Sequence, residues 1–152
     1  MRDGIKHKLI SYGVLLFTMG IVTQLLVYFM INPRMAQSAH TVALMSGMFL
    51  VLLGLIWDQM DLPARFSKVA YFLFLYSTFS AWGSMFIAAI FGTSRNTPFA
   101  SKGISGAAEW QETITDLAYL SFFVTIVLTC LVTMWGLRRG AARHARDDGA
   151  RR

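Results

Sequence analysis

The sequence predicts an all-α fold, an integral membrane four-helix bundle with both termini on the cytoplasmic side. Three observations carry this: the composition, four long runs without charge, and the placement of the basic residues. Of 152 residues, 55% are apolar and only 14% charged, well under the roughly one quarter usual in soluble domains. The uncharged runs cover 9–31, 41–57, 69–92 and 117–137, each long enough to cross about 30 Å of hydrocarbon at about 1.5 Å per residue. A soluble domain is excluded, and the chain reads as one membrane domain.

The first helix is expected over about 9–31. Arg2, Lys6 and Lys8 before it, with Ala36 and Ser38 after it, imitate a secretion signal, but the apolar run exceeds the roughly 7 to 15 residues of such a signal. It is therefore read as a span. Asn32 and Pro33 stop it, because proline lacks a donor and disfavours helical geometry in the residue before it. Ser38 is then expected to cap a second helix over 39–57, with His40 in its first turn. The third helix is expected over 67–92 and the fourth over 114–137, followed by a basic cytoplasmic tail, 138–152. Ala43 and Gly47, and likewise Ser77, Ala81, Ser84 and Ala88, are spaced for close helix contact within the bundle or an oligomer.

Residues 93–113 form the one long connection. Pro98, Gly103 and Gly106 prevent a continuous helix there, while Glu109, Trp110 and Glu112 can form an interfacial turn. It reads as a connector, with a lid over a membrane-facing pocket as the alternative.

Eleven of the fourteen Lys and Arg residues lie at the N-terminus, between helices two and three, or in the tail; Arg34, Arg95 and Lys102 lie opposite. Positive charge is retained on the cytoplasmic side. Arg138, Arg139, Arg143 and Arg146 directly follow a span, which points to orientation and contact with anionic membrane lipids rather than nucleic acid. Cys130 is the only cysteine, so neither an intrachain disulfide nor a thiolate metal cluster is available. All eight acidic residues lie outside the runs, Asp116 being the nearest. That counts against a proton-coupled transporter, which needs a carboxylate within the membrane. A structural or assembly subunit is the other non-enzymatic reading.

His40, at the edge of a hydrocarbon slab, is the costly residue of the chain. Position alone favours a plain interfacial polar residue over a ligand. His7 and His144 fall on the opposite side of the membrane, so a bis-histidine cytochrome cannot form within one subunit. A haem on His40 would be five-coordinate, its open iron a Lewis acid. Gln24, Ser46, Tyr76, Ser77, Thr78 and Ser80 are the polar residues within the spans, with Trp82 following. Singly they read as hydroxyls bonded to their own backbone; the group on helix three can instead line a pocket.

Residues 32–57, NPRMAQSAHTVALMSGMFLVLLGLIW, together with the opening LISYGVLLFTMGIV and the closing LVTMWGLRRG, resemble the small membrane isomerases comprising hydroxylaminobenzene mutase and styrene oxide isomerase. The resemblance, closest to the mutase branch, spans about 9–140. It implies a homotrimer in a bacterial-type plasma (inner) membrane, with ferric haem b at subunit interfaces and His40 in the position of the haem-ligating histidine. The epoxide isomerases' active-site asparagine is replaced by Ser46, and their catalytic aspartate and tyrosine fall on Ser77 and Met85. These departures favour rearrangement of a small aromatic hydroxylamine to an aminophenol, with epoxide-to-carbonyl isomerisation as the alternative. On this reading Ser46 and Ser77 hydrogen-bond the migrating oxygen. Phe79 or Trp82 stacks on a cation-like ring, worth about 0.5 to 2 kcal/mol, and Met85 lines the pocket.

Overall fold

The computed structural model describes residues 2–150. Four long helices, α1 (Arg2–Leu26), α2 (Pro33–Leu55), α3 (Ala64–Phe91) and α4 (Glu109–Ala150), alternate in direction, and short 3-10 turns, Val27–Phe29 and Trp57–Gln59, follow α1 and α2. The stretches long and apolar enough to span a membrane are Gly4–Phe29, Pro33–Leu55, Ala64–Phe91 and Glu109–Arg143. Large apolar side chains such as Leu25, Phe72 and Leu128 cover the outside, as a lipid-facing surface requires. The chain is a multi-pass membrane protein.

Packing runs between chain neighbours: α1 on α2, α2 on α3, α3 on α4. The α1–α2 pair is a glycine seam. A Cβ on Gly13 would lie 2.7 Å from the Gly47 carbonyl oxygen, and one on Gly47 would lie 2.7 Å from that of Gly13; only glycines allow backbones so close. Ser77, Ala81, Ser84 and Ala88 are all buried, so the helix-three stripe builds the protomer. Two apolar clusters fill the ends. Leu9, Leu50, Leu53, Trp57 and Phe74 form one; Val27, Met35, Ala36, Ala88, Ala89 and Tyr119 form the other.

The second helix starts six residues before the expected 39, at Pro33. Asn32, not Ser38, is its cap: Asn32 Oδ1 accepts the Met35 N–H at 3.1 Å, while Ser38 Oγ donates to the Arg34 carbonyl. Proline has no N–H to leave orphaned in the first turn, so Pro33 starts a helix as well as ending the approach to one. His40 is therefore the eighth residue of α2 rather than a first-turn residue. α3 ends at Gly92, whose φ of 67° places it in the left-handed region, the usual glycine helix stop. A side chain there would also strike Ile31.

The expected tail is helical: α4 runs 42 residues, about 63 Å at 1.5 Å per residue, twice the hydrocarbon thickness. Asp61 lies 3.7 Å from Arg139 and 3.6 Å from Arg143, Arg139 covers the Trp135 ring at 5.0 Å, and Lys6 pairs with Asp58. The N-terminal end, the α2–α3 turn and the outer part of α4 thus share one end of the bundle. The side chains of Arg2 and His144 lie outside the described residues.

Candidate functional site

His40 is half-buried on the α1-facing side of α2, with Nδ1 2.8 Å from the Gly20 carbonyl oxygen. A carbonyl can only accept, so Nδ1 carries a proton, and in the neutral ring the lone pair is then on Nε2. No hydrogen bond engages Nε2 among the described residues. An imidazole whose far nitrogen is tied to a backbone carbonyl has the orientation and tautomer of a metal-ligating histidine. Gly20 makes the approach possible: a Cβ there would lie 2.9 Å from Ala43 Cβ and 3.2 Å from the His40 carbonyl oxygen. Farther along the same seam, Phe17, Met48, Val51 and Leu52 line an apolar groove of about 300 Å³. Among the described residues no three His, Cys, Asp or Glu side chains converge on a metal position. The donor set, one oriented imidazole with an apolar groove farther along its seam, fits a group that needs a single donor from the protein.

The other predicted residues are dispersed. Ser46 is half-buried and, at about 100° per residue, lies roughly 120° around α2 from His40. Ser77 is fully buried; its hydroxyl donates to the Phe74 carbonyl at 3.1 Å and accepts from Thr129 Oγ1 at 2.9 Å. It is spent in the α3–α4 seam. Phe79 meets Tyr12 edge-on at 6.4 Å. Trp82 stacks on Phe86 at 4.8 Å and donates Nε1–H to Thr23 Oγ1 at 3.1 Å, so both rings face α1. Tyr76 donates to Ser121 across the α3–α4 pair, while Thr78 and Ser80 return to carbonyls of their own helix.

Met85 lies elsewhere, in a cavity between α2, α3, α4 and the loop, whose lining includes Met35, Ser38, Tyr119 and Phe123. Met35 and Ser38 stand about 140° and 160° around α2 from His40. The cavity and the imidazole therefore flank the exposed α2 stripe of Gln37, Thr41, Met45 and Met48. One protomer does not bring them together.

The loop, 92–108, is folded. Glu112, buried in the first turn of α4, accepts the Ser94 N–H at 2.9 Å and the Arg95 N–H at 3.2 Å, one on each oxygen. Arg95 reaches Glu109 at 2.7 Å and Asp116 at 3.1 Å. The hydrogen bond to Glu109, then that to Asp116, holds its guanidinium above the ordinary arginine range, so it stays charged. Asn32 Nδ2 donates to Ser101 Oγ at 2.9 Å, which donates to the Thr93 carbonyl at 2.8 Å. The loop is thus pinned to the starts of both α2 and α4.

The family described as "Styrene oxide isomerase" matches residues 5–138. The chain belongs to the styrene oxide isomerase family. The hydroxylaminobenzene mutase HabB of Ectopseudomonas oleovorans is 34% identical over 95% of this chain and 88% of its own length. Hydroxylaminobenzene mutase HabA of the same organism is 26% identical over 86% of this chain and 97% of its own. No solved structure matches. A styrene oxide isomerase family member with mutase relatives is an isomerase, which sets aside the transporter and assembly-subunit readings.

Sequence reasoning missed Gly20 and Tyr119. A glycine spaced seven residues from Gly13 was the available signal for the first; nothing in the sequence marked the second.

Proposed function

We propose that this isomerase rearranges an aromatic hydroxylamine to an aminophenol, with haem b held on His40. The observation that carries the reading is the 2.8 Å contact of His40 Nδ1 with the Gly20 carbonyl, which leaves Nε2 as a donor. Haem held by His40 would supply Lewis acidity towards the substrate's N–O oxygen. The mutase relatives support the substrate class. The reaction is balanced without a co-reactant: the N–O bond breaks, a C–O bond forms on the ring, and the proton lost from that carbon is returned through solvent to nitrogen.

The protein's own work is orientation and exclusion of water. Gly20 fixes the imidazole, the Phe17–Met48 groove supplies apolar wall, and Phe79 and Trp82 offer aromatic faces to a cationic ring. Ser46 remains a candidate partner for the migrating oxygen. Ser77 can donate to that oxygen only by giving up the Phe74 carbonyl. Because His40 and the loop-end cavity flank one exposed α2 stripe, a site using both takes them from different copies, which supports an assembly of copies such as the homotrimer that the family resemblance implies. The basic residues at the end bearing Lys6, Arg139 and Arg143 support a cytoplasmic position for it in a bacterial plasma membrane. Protease added to inside-out vesicles, and not to right-side-out cells, then trims the basic end.

Purified protein is expected to show a Soret band and to convert phenylhydroxylamine to 2-aminophenol, and His40→Ala to lose both. A protein without the band, or a His40→Ala variant that keeps band and turnover, overturns the proposal. Since the family is named for epoxide isomerisation, styrene oxide is the competing substrate; its preferential turnover assigns the second reading.

A further inference from the structure

The turn between α2 and α3 is fastened to α4 beside the end of the uncharged run 117–137. Asp61 donates its N–H to the Gly136 carbonyl at 3.1 Å, and a Cβ on Gly140 would strike the Gln59 carbonyl oxygen, so the two backbones meet where only glycine lets them. This contact sets Asp61 against the arginines of the following turns. Asp61, Arg139, Ala142, Arg143 and Arg146 line a pocket of about 470 Å³.

At about 100° per residue, Arg139, Arg143 and Arg146 fall within about 60° on one face of α4, whereas Arg138 lies about 100° from Arg139. Three guanidinium groups thus share the pocket with one carboxylate, an excess of positive charge. Asp61 is 3.7 Å from Arg139 and 3.6 Å from Arg143, on different oxygens, distances that give attraction without a hydrogen bond. No hydrogen bond engages the three guanidinium groups among the described residues, so their planar N–H forks, suited to phosphate oxygens, stay available. The depth of the pocket selects its ligand. Trp135, one turn before Arg139, lies under that guanidinium at 5.0 Å and meets Phe66 edge-on at 6.0 Å, and both rings are exposed. An exposed tryptophan between an apolar span and basic turns marks the headgroup layer of a bilayer.

We propose that this pocket is a headgroup site for an anionic phospholipid: Arg139, Arg143 and Arg146 take the phosphodiester oxygens, and Asp61 competes with the phosphate for Arg139 and Arg143. A zwitterionic headgroup brings its own cation into a pocket already in excess of positive charge, so the anionic lipid is preferred. Arg138, on another side of the helix, takes no part. The site is independent of the substrate and cofactor proposed above, since it lies at the other end of the bundle from the loop 92–108.

The test is native mass spectrometry of the full-length protein in an uncharged detergent, titrated with dioleoyl phosphatidylglycerol or dioleoyl phosphatidylcholine. The wild type is expected to bind phosphatidylglycerol in preference. Arg139→Gln with Arg143→Gln weakens that binding about 25-fold, about fivefold for each arginine, and Asp61→Asn tightens it about fivefold. Arg65→Gln with Arg138→Gln removes the same charge from the same end outside the pocket and leaves the affinity unchanged. Equal binding of the two lipids, an equal loss in the Arg65 and Arg138 control, or an Asp61→Asn protein that binds no more tightly than the wild type overturns the proposal. Displacement of phosphatidylglycerol by an equal concentration of inorganic phosphate makes the pocket a site for free phosphate and overturns the lipid assignment. Because damage to the fold cannot tighten binding, Asp61→Asn separates a lost site from a misfolded one.

Discussion

His40 reaches the Gly20 carbonyl at 2.8 Å because residue 20 has no side chain to hold α1 away. Gly20→Ala puts a methyl 2.9 Å from Ala43 Cβ, and neither atom belongs to a flexible side chain, so the helices must part. The imidazole then loses its anchor. If His40 holds haem as proposed, haem affinity is expected to fall about 10- to 100-fold, as when a metal-ligating histidine loses the hydrogen bond that orients it, read by Soret titration of the detergent-solubilised protein. Gly83→Ala is the control, since a Cβ there meets nothing within 4 Å; its affinity is expected to be unchanged. His40 itself was legible as a polar residue at an apolar edge. Its partner was not, because residues 20 apart meet only when two helices settle into register.

The loop and the helix starts are where element boundaries depend on single polar groups. Glu112 closes 93–101 onto α4 by accepting two backbone N–H groups. Glu112→Gln turns one carboxylate oxygen into a donor facing an N–H, and costs about 1 to 3 kcal/mol in a buried setting. Hydrogen–deuterium exchange of residues 93–101 is expected to accelerate by about tenfold or more, with the α1–α2 seam unaffected. At the other boundary, the sequence pointed to Ser38 as the cap and to Asn32 as a stop, whereas the cap is Asn32. Pro33 settles the matter for Asn32, since proline is tolerated at the first helical position. By contrast the small-residue stripe of helix three was legible in full, because its spacing belongs to one helix.

At the scale of the whole molecule, the bundle is an open row rather than a closed square, and α4 is its least covered span, with 11% of its most apolar window buried against 39% for α3. An exterior of this kind leaves faces for other copies. If the site takes His40 from one copy and the Tyr119 cavity from the next, inactive His40→Ala and Ala100→Trp subunits, the second with that cavity filled from the loop side, complement each other. Co-expressed in equal amounts, they are expected to recover about a quarter of wild-type turnover, since a quarter of the inter-copy sites then carry both intact halves. No recovery from verified mixed oligomers counts against a shared site.

The sequence by itself determined the membrane class, the four spans, the helix stop at Gly92, the oddness of His40 and the small-residue stripe on α3. Each of these is written in consecutive residues: apolar run length, glycine geometry, or small residues at helical spacing. Only the tertiary structure decided that Gly20 holds His40, that Ser77 is spent on Thr129, that Ser46 turns away from the imidazole, and that Tyr119 borders a cavity. The physical reason lies in the solvent. In water an apolar stripe tells which face of a helix turns inward; in lipid both faces are apolar, so inward and outward sides differ only once glycine seams and hydroxyl pairs have set the register between helices.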